Sequence, residues 1–87
     1  MAIYKIQIKP SAKKELFKLP GKDLKKVVLK IKSLSKNPRP SGCEKLSGEE
    51  KYRVRQGNYR IVYLIDDKQL TIIVIKIGHR KDVYKKR

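Results

Sequence analysis

The sequence contains one cysteine, Cys43, and one histidine, His79. A lone cysteine excludes an internal disulfide, and a reducing, cytoplasmic setting is the expectation. One Cys and one His are also too few for a structural zinc site within a single chain. Acidic residues are scarce: eight Asp and Glu stand against 24 Lys and Arg, for a formal charge of +16 over 87 residues. The eight are Glu15, Asp23, Glu44, Glu49, Glu50, Asp66, Asp67 and Asp82. No two of them have a spacing that points to paired acid/base carboxylates or a divalent-metal site. There is no phosphate loop and no nucleotide-binding glycine fingerprint, so no cofactor is expected. No apolar run approaches the ~18 residues that a membrane span needs. The first ten residues, MAIYKIQIKP, alternate and lack the continuous apolar core of a signal peptide.

What is present fits one small domain over residues 1–87, with 39% hydrophobic residues to fill a single modest core. A charge of +16 repels itself and seeks a polyanion: nucleic acid, an anionic membrane or an acidic protein.

Residues 51–65, KYRVRQGNYRIVYLI, organise the chain. Two runs of β-branched and aromatic residues flank Gly57-Asn58, a pair suited to a two-residue hairpin turn. With that loop, Gln56 pairs with Tyr59, Arg55 with Arg60, Val54 with Ile61 and Arg53 with Val62. Alternation then gives Arg53, Arg55 and Arg60 one face of the sheet. Tyr52, Val54, Tyr59, Ile61 and Tyr63 take the other. Two cations directly opposite repel, an arrangement that makes sense if something anionic sits on them. A one-residue change of loop length would undo the register.

Around the hairpin, residues 2–8 alternate as a half-buried edge strand ended by Pro10. Ser11 is the expected N-cap of a short helix over 12–19, with Leu16, Phe17 and Leu19 towards the core. Pro20-Gly21 breaks it. Residues 22–34 carry the clearest helical stripe: Leu24, Val27, Val28, Ile31 and Leu34. The lysines on its other sides read as a solvated face. Residues 37–42, NPRPSG, form a loop by composition. Residues 42–50 are either a short strand or an ordered connection. Asp66 to Gln69 make the next turn. Residues 70–77, LTIIVIKI, are apolar on both faces, which fits a central strand. The order is β, two helices, then an antiparallel meander: an α+β domain.

Two places carry possible chemistry. Arg53, Arg55 and Arg60 offer planar forks matched to phosphate oxygens. Exposed strands are often charged, however, and 24 basic residues in 87 cluster by chance, so spacing alone leaves both readings open. The second place is Gly78-His79-Arg80 with Tyr84. Histidine titrates near neutrality, and neighbouring cations favour its neutral, proton-accepting form. The alternative is an exposed histidine in a basic terminal segment. Tyr84 can stack on a base or orient a phosphate, or simply dock the segment that bears it. Cys43 has no evident activating partner.

KLSG at 45–48, YRVRQGNYRIVY at 52–63 and IGHRKDVY at 77–84 resemble the RelE/ParE superfamily of type II toxin–antitoxin toxins, the RelE branch in particular. The resemblance covers nearly the whole chain. It implies a microbial-ribonuclease-like fold, β-α-α-β-β-β, with two N-terminal helices packed on a twisted antiparallel sheet. It implies a ribosome-dependent endoribonuclease that cuts mRNA in the A site without metal, the 2′-hydroxyl attacking the adjacent phosphate. Site residues implied by the matched motifs are Arg53, Arg55, Arg60, Arg80 and Tyr84. The best-known RelE-type toxins carry lysines at the first two positions, one of them assigned as the general base. Arginine stays protonated and is a poor base, although it can stabilise a phosphorane. His79 is therefore the expected acid or base. Implied partners are a cognate antitoxin with an acidic or amphipathic segment, the ribosome and mRNA, with no membrane. A ParE-like gyrase inhibitor that cuts no RNA and a non-catalytic RNA-binding module are the competing readings.

Overall fold

The computed structural model describes residues 3–46 and 51–79. Along the chain come β1 (Lys5–Ile8), α1 (Pro10–Phe17), α2 (Gly21–Leu34), β2 (Glu44–Leu46), β3 (Lys51–Gln56), β4 (Tyr59–Asp66) and β5 (Thr71–His79). The strands form one five-stranded sheet in the order β1-β5-β4-β3-β2. The expected α+β architecture is present, with the segment before the hairpin supplying the short strand β2. One pairing departs from an all-antiparallel sheet: β1 lies parallel to β5, Lys5 opposite Thr71 and Ile8 opposite Val74. Alternation shows that a strand has a buried face but carries no sign for its direction.

Both helices cover one face of the sheet. Val27, Ile31 and Leu34 of α2, with Ala12 and Leu16 of α1, pack on Tyr52, Val54, Ile61, Tyr63, Ile65, Ile72, Val74 and Ile77. Burying one such aliphatic side chain contributes roughly 1.5–3 kcal/mol. The stripe of α2 is the one that spacing predicts.

Three local expectations are corrected. Pro10 opens α1 instead of merely ending β1, with Lys9 as N-cap, so Ser11 lies inside the helix. Proline's fixed φ suits the first helical position, where its missing N–H costs nothing. Phe17 is not a core residue; it is 68% exposed. Ala12 and Leu16, four apart, define the buried side of α1, and Phe17 is rotated about 100° from it. Leu70 is not in β5: it takes φ 48° in the turn and is exposed. That turn is organised by Asp66, whose Oδ1 accepts from the backbone N–H of Lys68 and of Gln69, each at 3.1 Å.

Candidate functional site

The β3–β4 hairpin has the register that its sequence predicts. Gln56 pairs with Tyr59, Arg55 with Arg60, Val54 with Ile61 and Arg53 with Val62. Gly57 has φ 63°, and Asn58 is not left-handed, which fits a type II′ turn with glycine at its first position. Arg53, Arg55 and Arg60 therefore share the sheet face away from the helices. Their environments differ. Arg55 is exposed, Arg53 is half-buried and Arg60 is only 3% exposed. The residue directly opposite Arg60 on β5 is Gly78, which has no side chain.

β2 adds a residue that the sequence reading did not single out. Glu44 lies directly opposite Arg53. Its Oε1 accepts from Arg53 Nε at 3.1 Å and from the same guanidinium's Nη2. The hydrogen bonds from Arg53, then the positive charges of Arg53, Arg55 and Arg60, hold the Glu44 carboxyl below the usual carboxylate range. Lys30 of α2 approaches from the far side of β3. Lys30, Ser41, Gly42, Glu44, Arg53 and Arg55 line a cleft of about 310 Å³ at the end of β3 that β2 leaves uncovered. The site is thus a pocket of cations with one carboxylate in it. Glu44 was not legible because the strand that aligns it with Arg53 is three residues long and has no alternating signature of its own.

The loop that delivers Glu44 is anchored from beneath. Tyr63 donates its hydroxyl proton to the Pro38 carbonyl at 2.6 Å. Arg39 Nε donates to the Tyr52 hydroxyl at 3.0 Å, its Nη2 donates to Asp67 at 3.0 Å, and its guanidinium carbon stands 5.2 Å from the Tyr52 ring centroid. Tyr4 donates to the same Asp67 at 2.6 Å. Tyr52 and Tyr63 lie on the core face as expected, their rings 6.0 Å apart. Burial, first of all, pushes the Tyr63 hydroxyl well above the usual tyrosine range.

His79 does not join the arginines. It pairs with Tyr59 at the end of β5, and the two rings meet edge-on at 5.3 Å. Tyr59 in turn donates to Asp23 of α2 at 3.1 Å, so this pair is on the helix side. Burial and the Asp23 carboxylate raise the Tyr59 pKa. A separate groove of about 410 Å³, lined among others by Lys18, Leu19, Pro20, Tyr59 and His79, opens there. The cause is a bulge. Ile72 and Val74 face the helices, and strict alternation would turn His79 to the arginine face. The ladder shifts between Val62 and Tyr63, which oppose Lys76 and Val74, leaving Ile75 as an extra residue. One extra residue reverses the parity of all that follows. Arg80 and Tyr84 lie outside the described residues. Among the described residues no cluster of His, Cys, Asp and Glu is fit to hold a metal.

The model of the ParE toxin of the type II toxin–antitoxin system parDE matches residues 6–84. The chain belongs to the RelE/ParE superfamily of type II toxin–antitoxin toxins. Toxin RelG of Mycobacterium tuberculosis is 32% identical over 87 residues, covering 95% of this chain and 98% of that one. The putative toxin RelE1 of Methanocaldococcus jannaschii is 35% identical over 86 residues, covering 94% and 96%. A RelE-type fold is shared with the archaeal RelE–RelB complex from Pyrococcus horikoshii, at TM-score 0.81 and 27% identity over 90% of this chain and 96% of that one. No described helix is long and apolar enough to cross a membrane.

Proposed function

We propose that this toxin is a ribosome-dependent endoribonuclease that cuts mRNA by attack of the RNA's own 2′-hydroxyl on the adjacent phosphate. The observation that carries the reading is the alignment of Arg53, Arg55 and Arg60 on one sheet face by the hairpin register, with Arg55 exposed, Arg53 half-buried and Arg60 buried beside them. Guanidinium forks bind phosphate oxygens in pairs, and three of them can follow the negative charge that grows on a phosphorane. The 2′-oxygen bonds to phosphorus, the bond to the 5′-oxygen of the next nucleotide breaks, and a 2′,3′-cyclic phosphate and a 5′-hydroxyl remain. Arg80 and Tyr84 complete the set by their match to the family motif. A site so short of acid/base groups fits a substrate that the ribosome itself positions, since alignment alone can supply much of a rate enhancement.

The inhibitor in this reading is an antitoxin protein with an acidic or amphipathic segment. A formal charge of +16 calls for a complementary surface. The relatives from Pyrococcus horikoshii and Mycobacterium tuberculosis are described in complexes with antitoxins.

The matching family model is named for ParE, which favours one second reading: inhibition of DNA gyrase with no RNA cleavage. One experiment separates the two. Purified protein is incubated with mRNA, with and without programmed ribosomes, and cuts are mapped to the nucleotide. Cleavage at A-site codons only when ribosomes are present supports the first reading. Cleavage of free RNA removes the ribosome from the mechanism. No cleavage, with gyrase supercoiling inhibited, moves the protein to the second.

A further inference from the structure

The reaction proposed above needs a group to take the proton from the attacking 2′-hydroxyl. Arginines cannot do it, because they stay protonated. His79 is held on the helix side of the sheet by its contact with Tyr59. Glu44 is the carboxylate that the described structure brings into the arginine cleft, and more than half of its side chain is open to solvent.

We infer that Glu44 is the proton acceptor for the 2′-hydroxyl, carried into the site by β2 and held there by Arg53. The inference rests on the ribonuclease reading. In the free protein the Glu44 carboxylate is the counter-ion of Arg53, and among the described residues Lys30, Arg53, Arg55 and Arg60 are charged groups that line its cleft or act on it. That environment keeps it ionised and ready to accept, and also makes it a weak base. A bound phosphate changes the balance. Its oxygens compete for the Arg53 fork and bring negative charge beside Glu44, which loosens the ion pair and strengthens the base at the moment it is needed. Glu44 then takes the 2′-proton as the 2′-oxygen bonds to phosphorus. Water supplies the proton for the departing 5′-oxygen, and Glu44 returns its own to solvent.

Glu44→Gln keeps the shape and removes the basicity. Single-turnover cleavage on programmed ribosomes should fall by about 10²-fold or more, the lower end for general acid–base catalysis, while ribosome binding by the variant stays within about twofold of wild type. The wild-type rate should be flat from pH 8 down to about 5.5, since its base is a carboxylate; a histidine base would give a limb near pH ~6.5. Circular dichroism checks the fold, and Glu44→Asp, which keeps the base on a shorter arm, should recover part of the rate. Wild-type cleavage matched or exceeded by Glu44→Gln overturns the inference and makes Glu44 a counter-ion only. So does a loss of rate that tracks a loss of ribosome binding, or a limb near pH ~6.5. Absence of cleavage by the wild type overturns the ribonuclease reading itself, and the inference with it.

Discussion

Arg55 faces Arg60 across the β3–β4 ladder, one exposed and the other almost fully buried. Like charges directly opposite on a sheet destabilise it by roughly 0.2–1 kcal/mol. If the pair serves phosphate binding, stability and activity should move in opposite directions. Arg55→Gln is expected to raise the urea midpoint slightly and to lower cleavage on ribosomes at least tenfold. A second prediction concerns Asp67, which accepts from Tyr4 and Arg39 on the opposite side of the sheet. The hydrogen bond from Tyr4, then that from Arg39, holds its pKa below the ordinary value. A group whose folded pKa is depressed stabilises the fold above its unfolded pKa, ~3.9 for Asp, and that stabilisation is lost as pH falls through the lower folded value. Asp67→Asn should therefore give a shallower fall of Tm between about pH 4 and pH 2, and thermal melts over that range measure it.

At the scale of elements, β5 presents an unusual edge. β1 pairs with it only as far as Val74, and beyond that point α1 takes over. Glu15 of α1 closes the gap: its Oε1 accepts from the Ile77 backbone N–H at 2.8 Å, and its Oε2 pairs with Lys76 Nζ at 3.2 Å. Glu15→Ala leaves a part-buried N–H without that acceptor, a cost of about 1–3 kcal/mol. At about 4–8 °C per kcal/mol for a domain of this size, Tm should drop visibly, and Glu15→Gln should restore most of it. The hairpin was readable from sequence because two signals agreed, the Gly57-Asn58 turn and the alternation on both sides of it. The stripe of α2 was readable for a similar reason. The bulge at Ile75 was not, because nothing in LTIIVIKI distinguishes a strand with one extra residue from one without. That single residue decides which face His79 takes, a placement that the sequence alone did not carry. Glu44 escaped notice for a related reason: a carboxylate means little until a partner strand sets it opposite an arginine.

For the whole molecule, charge governs association. A chain of formal charge +16 should bind RNA with an affinity that falls linearly in log–log terms with salt, by about 0.7 for each phosphate contacted on a single strand. Fluorescence anisotropy on a short single-stranded RNA at several salt concentrations gives the slope, and Arg55→Gln should reduce it by about one contact. The sheet order has a consequence in time as well as space. β5 lies between β1 and β4, and Lys5 meets Thr71 across most of the chain. Pairings so distant in sequence form late. While synthesis has reached only β4, β1 has no partner and β4 has one bare edge. The hairpin then exists as a chain segment with its arginines in order and Glu44 opposite Arg53, but without the strand that pairs alongside Arg60. The arginine face is therefore complete only once the last strand of the sheet has been made.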